Sequence, residues 1–198
     1  MNTSDSKLWF TEKKRECVFS NRYITVYKTF FEAPDKADLG PYFSLKLSNY
    51  AVIVAVDEAG DFICVRQFRH GLRQITTEFP AGGIVVDNKE EPITLDNALE
   101  NAKRELLEET GYASEHWSHL FTVPANSTLA DNYAWIFLAT DCRKVSEQNL
   151  DTTEYLEVKK ISSEELEAMI RAGEFHHAVH ILAWYMTKEH LNGTETDK

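Results

Sequence analysis

Basic residues are scarce in this chain. Lys and Arg number 21 against 32 Asp and Glu, a formal net charge of −11 over 198 residues. A surface of that sign repels phosphate backbones and excludes non-specific nucleic-acid binding. Cysteine is scarce too: Cys17, Cys64 and Cys142 stand alone, without paired spacing. Such thiols fit burial in a reducing compartment better than a disulfide framework or a zinc site. No apolar run reaches the ~20 residues of a membrane span. Met1 to Lys7 lacks the apolar core of a signal peptide. Internal repeats and low-complexity tracts are absent. These absences predict a soluble, cytoplasmic protein with neither membrane nor nucleic acid as partner.

What is present suits one sizeable core and a small extra subdomain: 43% of residues are hydrophobic and 12% aromatic. Cys17–Phe19 and Tyr23–Tyr27 read as a hairpin turned by Ser20-Asn21-Arg22, and Tyr42–Leu47 as a further strand after a loop ending at Gly40-Pro41. Residues 1–48 are read as an N-terminal β extension. Residues 49–191 form the main domain, and 192–198 a flexible tail. Ala51–Val56 is an apolar run of the kind found in strands buried on both faces. Phe62–Arg69 returns beside it. Arg66 and Arg69, three apart on that strand, face opposite sides.

Ser162-Ser163-Glu164-Glu165 opens a helix that Gly173 closes, and a last helix spans Phe175–Leu191. His176, His177 and His180 are suggestive of metal. No carboxylate set lies near them in sequence, and they are not assigned to one.

The informative stretch is Arg104-Glu105-Leu106-Leu107-Glu108-Glu109-Thr110-Gly111-Tyr112. Leu95, Ala98, Leu99, Ala102 and Leu106 recur at helical spacing, capped in front by Thr94 or Asp96 and behind by Gly111. Glu105 and Glu109 then lie about 40° apart, beside that stripe, with Glu108 close by. Crowded carboxylates at the negative end of a helix are unfavourable alone. A hard divalent cation relieves them.

Arg-Glu-Leu-x-Glu-Glu-x-Gly-Tyr resembles the second half of the Nudix box. Glu78-Phe79-Pro80-Ala81-Gly82-Gly83 resembles the strand and loop that opens it in ADP-ribose and nucleoside-diphosphate-sugar pyrophosphatases. Val65-Arg66-Gln67-Phe68-Arg69 ahead of it points to the same branch. The resemblance covers roughly residues 16–190. It implies an α/β fold: the Nudix α/β/α sandwich with a mixed β-sheet plus a small N-terminal β subdomain. The chain departs from the pattern in several places. Gly83 to Arg104 is longer than usual by about seven residues. Asp96 occupies the nominal place of an upstream box glutamate, with Glu90 and Glu91 as alternatives. The loop 124–132, with Asn126-Ser127-Thr128, lacks the glycine and glutamate that ADP-ribose pyrophosphatases often carry there.

The resemblance implies hydrolysis of the diphosphate in a nucleoside diphosphate linked to another group, foremost ADP-ribose to AMP and ribose 5-phosphate. The alternatives are another nucleotide sugar, such as GDP-mannose, and a nucleotide-binding module without catalysis. Mg2+, or Mn2+, would be held by the Ala81 carbonyl and by Glu105 and Glu109, with Glu108 as a further ligand or as a partner to one. Arg104 would orient a metal-binding glutamate. Glu154 is the closest match to the family's general base, although Thr152 stands where an upstream acidic residue is usual. Arg69 foremost, with Arg66, Glu78 and Trp9, are the candidate substrate contacts; Phe10 and Tyr23 share with Trp9 the role of stacking on adenine. A homodimer through the N-terminal sheet is also implied.

Overall fold

The computed structural model describes residues 5–85 and 92–196. Contacts divide the chain into two units: residues 1–48 with 124–133, and residues 49–123 with 134–198.

The smaller unit is an antiparallel sheet in the order β1 (Thr11–Ser20), β2 (Thr25–Glu32), β3 (Asp38–Lys46). Asn21 makes the first turn, its Oδ1 accepting from the backbone N–H of Tyr23 at 2.8 Å and of Ile24 at 2.9 Å. β3 starts at Asp38, ahead of the expected Tyr42, and runs through Gly40-Pro41. Gly40 adopts φ 120°, and a Cβ there would stand 2.9 Å from the Thr29 carbonyl, so the strand hugs β2 only with glycine at this point. Loop 124–133 packs with this sheet: the Leu45 N–H donates to Leu129 O at 2.7 Å and the Leu47 N–H to Asp131 Oδ1 at 3.2 Å. Cys17, expected to be buried, is exposed on β1.

The larger unit holds an eight-stranded sheet. Its strands are β4 (Tyr50–Asp57), β5 (Phe62–Arg69), β6 (Gln74–Glu78), β7 (Ala81–Gly83), β8 (Tyr112–Ala113), β9 (His116–Pro124), β10 (Tyr133–Lys144) and β11 (Leu156–Ile161). The main order is β11-β5-β4-β10-β8, with β6 beside β5, β7 beside β4 and β9 beside β10. β10 runs parallel to β4 and β5 antiparallel to it, so the sheet is mixed.

Helices α1 (Leu95–Thr110), α2 (Ser163–Ala172) and α3 (Ala178–Thr196) cover it. Alternation along β4 explains its apolar run. Ala51, Ile53 and Ala55 pack in one layer with Ala98, Ala102 and Leu106 of α1. Val52 and Val54 pack in another with Leu166 of α2 and Val179, Ala183 and Trp184 of α3. This is the expected α/β/α sandwich.

Boundaries shift in places. Leu95 opens α1 but is 46% exposed, so the buried stripe is narrower than the sequence suggests. α3 begins at Ala178, leaving Phe175 buried before it, and continues to Thr196 through most of the expected tail. Glu90 and Glu91 lie outside the described residues. No helix among the described residues is long and apolar enough to cross a membrane.

Candidate active site

The rotation of α1 is set before any chemistry is considered. Thr94 caps it, its Oγ1 accepting the Asn97 N–H at 3.2 Å. Gly111 ends it at φ 74°, its N–H bonded to Leu107 O at 2.8 Å. With Ala98, Ala102 and Leu106 fully buried against the sheet, Glu105 and Glu109 fall at the edge of the packed face. They are 9% and 4% exposed, unusual burial for carboxylates.

That burial sets their electrostatics. Glu109 is pushed up to about 8, first by desolvation and then by the Glu105 charge; Glu154 adds to the rise, while the Ala81 N–H and Arg69 oppose it. Glu105 is also raised by burial, against the pull of Arg104, with Glu108 and Glu154 adding to the rise. Arg104 binds both neighbours: its guanidinium meets Glu105 Oε1 at 2.6 Å and is bonded to Glu108 Oε2. Its own pKa is raised, burial opposing and the two carboxylates outweighing it.

The loop after β6 reaches the same place. Pro80 O accepts the Ile53 N–H at 2.9 Å, which ties the loop to β4. The next residue, Ala81, donates its N–H to Glu109 Oε2 at 3.2 Å. Gly82 lies against the Glu105 carboxylate so closely that a Cβ would strike it.

Two more groups come from elsewhere in the chain. Arg69, at the end of β5, donates Nε to Glu78 Oε1 at 2.7 Å, and its charge is felt by Glu109. Glu78 is fully buried, so its polar contacts are with protein: Arg69 and, at 3.3 Å, Thr76 Oγ1. Glu154 sits in a turn, its Oε2 accepting the Asp151 N–H at 2.9 Å; its charge acts on both Glu105 and Glu109.

Two candidates of the larger unit, Arg66 and Asp96, are not brought there. Arg66 pairs across the strands with Glu157 at 3.2 Å, both exposed, as expected for the strand face opposite Arg69. Asp96 is in the first turn of α1, nine residues before Glu105 and so roughly 13 Å from it along the axis. Trp9 is exposed and belongs to the smaller unit.

The carboxylate set fits a divalent cation. Two of its members are buried at a cost that a cation would offset, and glycine at position 82 lets the loop close directly on the Glu105 carboxylate. Arg104 contacts Glu105 and Glu108, and the Ala81 amide donates to Glu109. Among the described residues, the set of three metal-competent side chains whose donor atoms all lie within 4.8 Å of one another is a different one: Glu78, His177 and His180. Sequence spacing missed it because the histidines stand about a hundred residues from the glutamate.

No family model matches the chain. It is 30% identical over 166 residues to an ADP-ribose pyrophosphatase of Bacillus subtilis, covering 83% of this chain and 84% of that protein. The chain belongs to the Nudix hydrolases. This Nudix hydrolase is also 27% identical to a CMP-5'-(N-acetyl-N-hydroxy-3-aminopropyl)phosphonate hydrolase of Streptomyces rubellomurinus, over 79% of the chain and 71% of the relative. Its fold matches a crystal structure of an ADP compounds hydrolase with a TM-score of 0.76 at 20% identity, over 93% of the chain and 95% of that structure. As a Nudix hydrolase of the ADP-ribose pyrophosphatase-like group, it is an enzyme that hydrolyses nucleoside diphosphate derivatives.

Proposed function

We propose that the enzyme hydrolyses ADP-ribose to AMP and ribose 5-phosphate with Mg2+ or Mn2+ as cofactor. The observation that carries the metal part is the pair of buried, mutually repelling carboxylates, Glu105 and Glu109, facing a loop that comes within one Cβ of them. Glu105, Glu108, Glu109 and the Ala81 carbonyl would hold the ion. When bound, it would neutralise charge on the diphosphate and acidify a water.

The chain's own residues would do the rest. Arg104 orients Glu105 and Glu108 through its two contacts. Arg69, pinned by Glu78, presents a fixed guanidinium for a phosphate or the terminal sugar. Glu154 accepts the proton of the attacking water; its charge already reaches both box glutamates. ADP-ribose is preferred over other nucleotide sugars because of the name of the Bacillus subtilis relative and the similarity across most of both chains.

We further propose a homodimer in the cytoplasm. Val18, Phe19, Tyr42 and Phe43 in the β1–β3 sheet are each about half exposed, which favours burial against a second copy.

The test is a panel of ADP-ribose, GDP-mannose, UDP-glucose and NADH, with Mg2+ or Mn2+, read by quantifying the phosphate esters released. Selective AMP formation from ADP-ribose is the expected result. Faster release from another nucleotide sugar would transfer the assignment to it. Absence of turnover across the panel with either ion would remove it. Light scattering on a size-exclusion column reads the dimer; a monomeric mass removes that part alone.

A further inference from the structure

We propose that Glu78, His177 and His180 form a second metal site, one that takes a borderline transition ion such as Zn2+ and inhibits the enzyme. Glu78 ends β6, His177 immediately precedes α3, and His180 lies in its first turn. One donor atom from each lies within 4.8 Å of the other two. Glu78 is 0% and His180 1% exposed.

Two of the polar atoms here are buried without a hydrogen-bond partner: Glu78 Oε2 and His177 Nδ1. Leaving such groups bare in a core is costly. A shared ion would engage both. Burial also holds His180 well below, and His177 below, the usual imidazole range, so both rings are neutral at physiological pH. A neutral ring is the ligating form.

The surroundings do not select the kind of ion. The Arg69 guanidinium rests on the other oxygen of Glu78, 2.7 Å away. The positive end of α3 also points here. Both repel any divalent cation alike, so the donor atoms decide which ion is held. Imidazole nitrogens suit zinc, copper or nickel.

Inhibition follows from what His180 already does. Its Nδ1 accepts the Phe79 N–H at 3.1 Å, and its ring stacks on Phe79 with an interplanar angle of 7°. The proton of the neutral ring is therefore on Nε2. An ion on Nδ1 displaces the Phe79 amide. An ion on Nε2 moves the proton to Nδ1, where it meets the same amide head-on. Either way Phe79 loses its acceptor. Phe79 stands two residues before Ala81, whose N–H holds Glu109. Occupancy of the new site thus disturbs the loop that faces the box glutamates.

The binding measurement needs no substrate. Zn2+ is titrated against a chromogenic chelator, using the Glu109→Gln variant so that the box site is weakened as a competitor. One tight Zn2+ per chain is expected. His177→Leu in that background should weaken it by at least the ~10-fold that loss of an outer metal partner alone costs. His177→Asn serves if the leucine variant does not fold. Zinc bound as tightly by either folded variant, or not bound at all, overturns the site.

The inhibition measurement rests on the proposed hydrolysis. With saturating Mg2+, Zn2+ should suppress turnover of the intact enzyme. His177→Leu should keep the Mg2+-dependent rate and lose the suppression. Equal suppression in both overturns the inhibitory role. A failed substrate assignment would leave the zinc titration unchanged, so the two failures are distinguishable.

Discussion

Glu78 has no exposed surface, and the cation that meets it, Arg69, keeps 38% of its side chain open to solvent. One end of this ion pair is structural and the other is free to meet a ligand. Arg69→Ala would leave the Glu78 carboxylate buried without its partner. A fully buried pair broken in this way costs about 3–5 kcal/mol, and the exposure of Arg69 reduces that to roughly 1–3 kcal/mol. Adding Glu78→Gln should recover most of the lost stability in urea unfolding. It should not recover kcat/KM, which we expect to fall at least ~10-fold in both proteins, as for loss of a charged contact. Equal stability of the single and double variants would sink the buried-charge account.

The raised Glu109 carboxyl makes the metal-free protein pH-sensitive. Between the unperturbed carboxylate range and about 8, the native state keeps a proton that the unfolded chain has lost. Stability therefore falls as pH rises through that window. Thermal unfolding in chelator should show a lower Tm at pH 8 than at pH 5.5, and Glu109→Gln should shrink the difference. Saturating Mg2+ should shrink it as well, with proton release on binding measurable by calorimetry in two buffers. A pH-independent difference between Glu109→Gln and the parent protein would contradict this.

Gly82→Ala places a methyl group on the Glu105 carboxylate. The side chain can swing aside, so the fold should survive with a small change in Tm. The metal concentration for half-maximal activity should rise at least ~10-fold, in line with the loss of one metal partner. An unchanged metal requirement would show that Glu105 is not a ligand.

Glu154 and Glu157 separate the general base from a structural carboxylate. Glu157 is paired with Arg66 and Lys159 on the surface, where solvent screens such pairs and they contribute little. Glu157→Gln should leave turnover within about two-fold of the parent. Glu154→Gln should lower kcat on the order of 100-fold with little change in Mn2+ affinity. An unchanged kcat in the Glu154 variant would remove it from the proton transfer.

Local pattern was enough for the helix that carries the site, and the family resemblance supplied the sandwich. Glu105 and Glu109 lie four apart on a segment whose apolar stripe is Ala98, Ala102 and Leu106, and helical geometry alone sets them at the edge of that stripe. The same rule put Arg66 and Arg69 on opposite faces of β5. It did not say which face holds the site; Glu78, paired with Val65 in the β5–β6 register, decided that.

Glu154, also distant along the chain, entered through the family resemblance and not through periodicity. One feature escaped because it depends on chain segments far apart. His180 meets the Phe79 amide across 101 positions, and Glu78 shares that pocket with two histidines. A helix or strand period describes neighbours a few residues apart and is silent beyond that. The sequence by itself determined the element types, the two buried faces of β4 and the crowding of Glu105 with Glu109, because these follow from backbone periodicity and side-chain polarity. Only the tertiary structure decided which arginine faces the carboxylates and which polar atoms are buried without partners, because those depend on how distant segments pack.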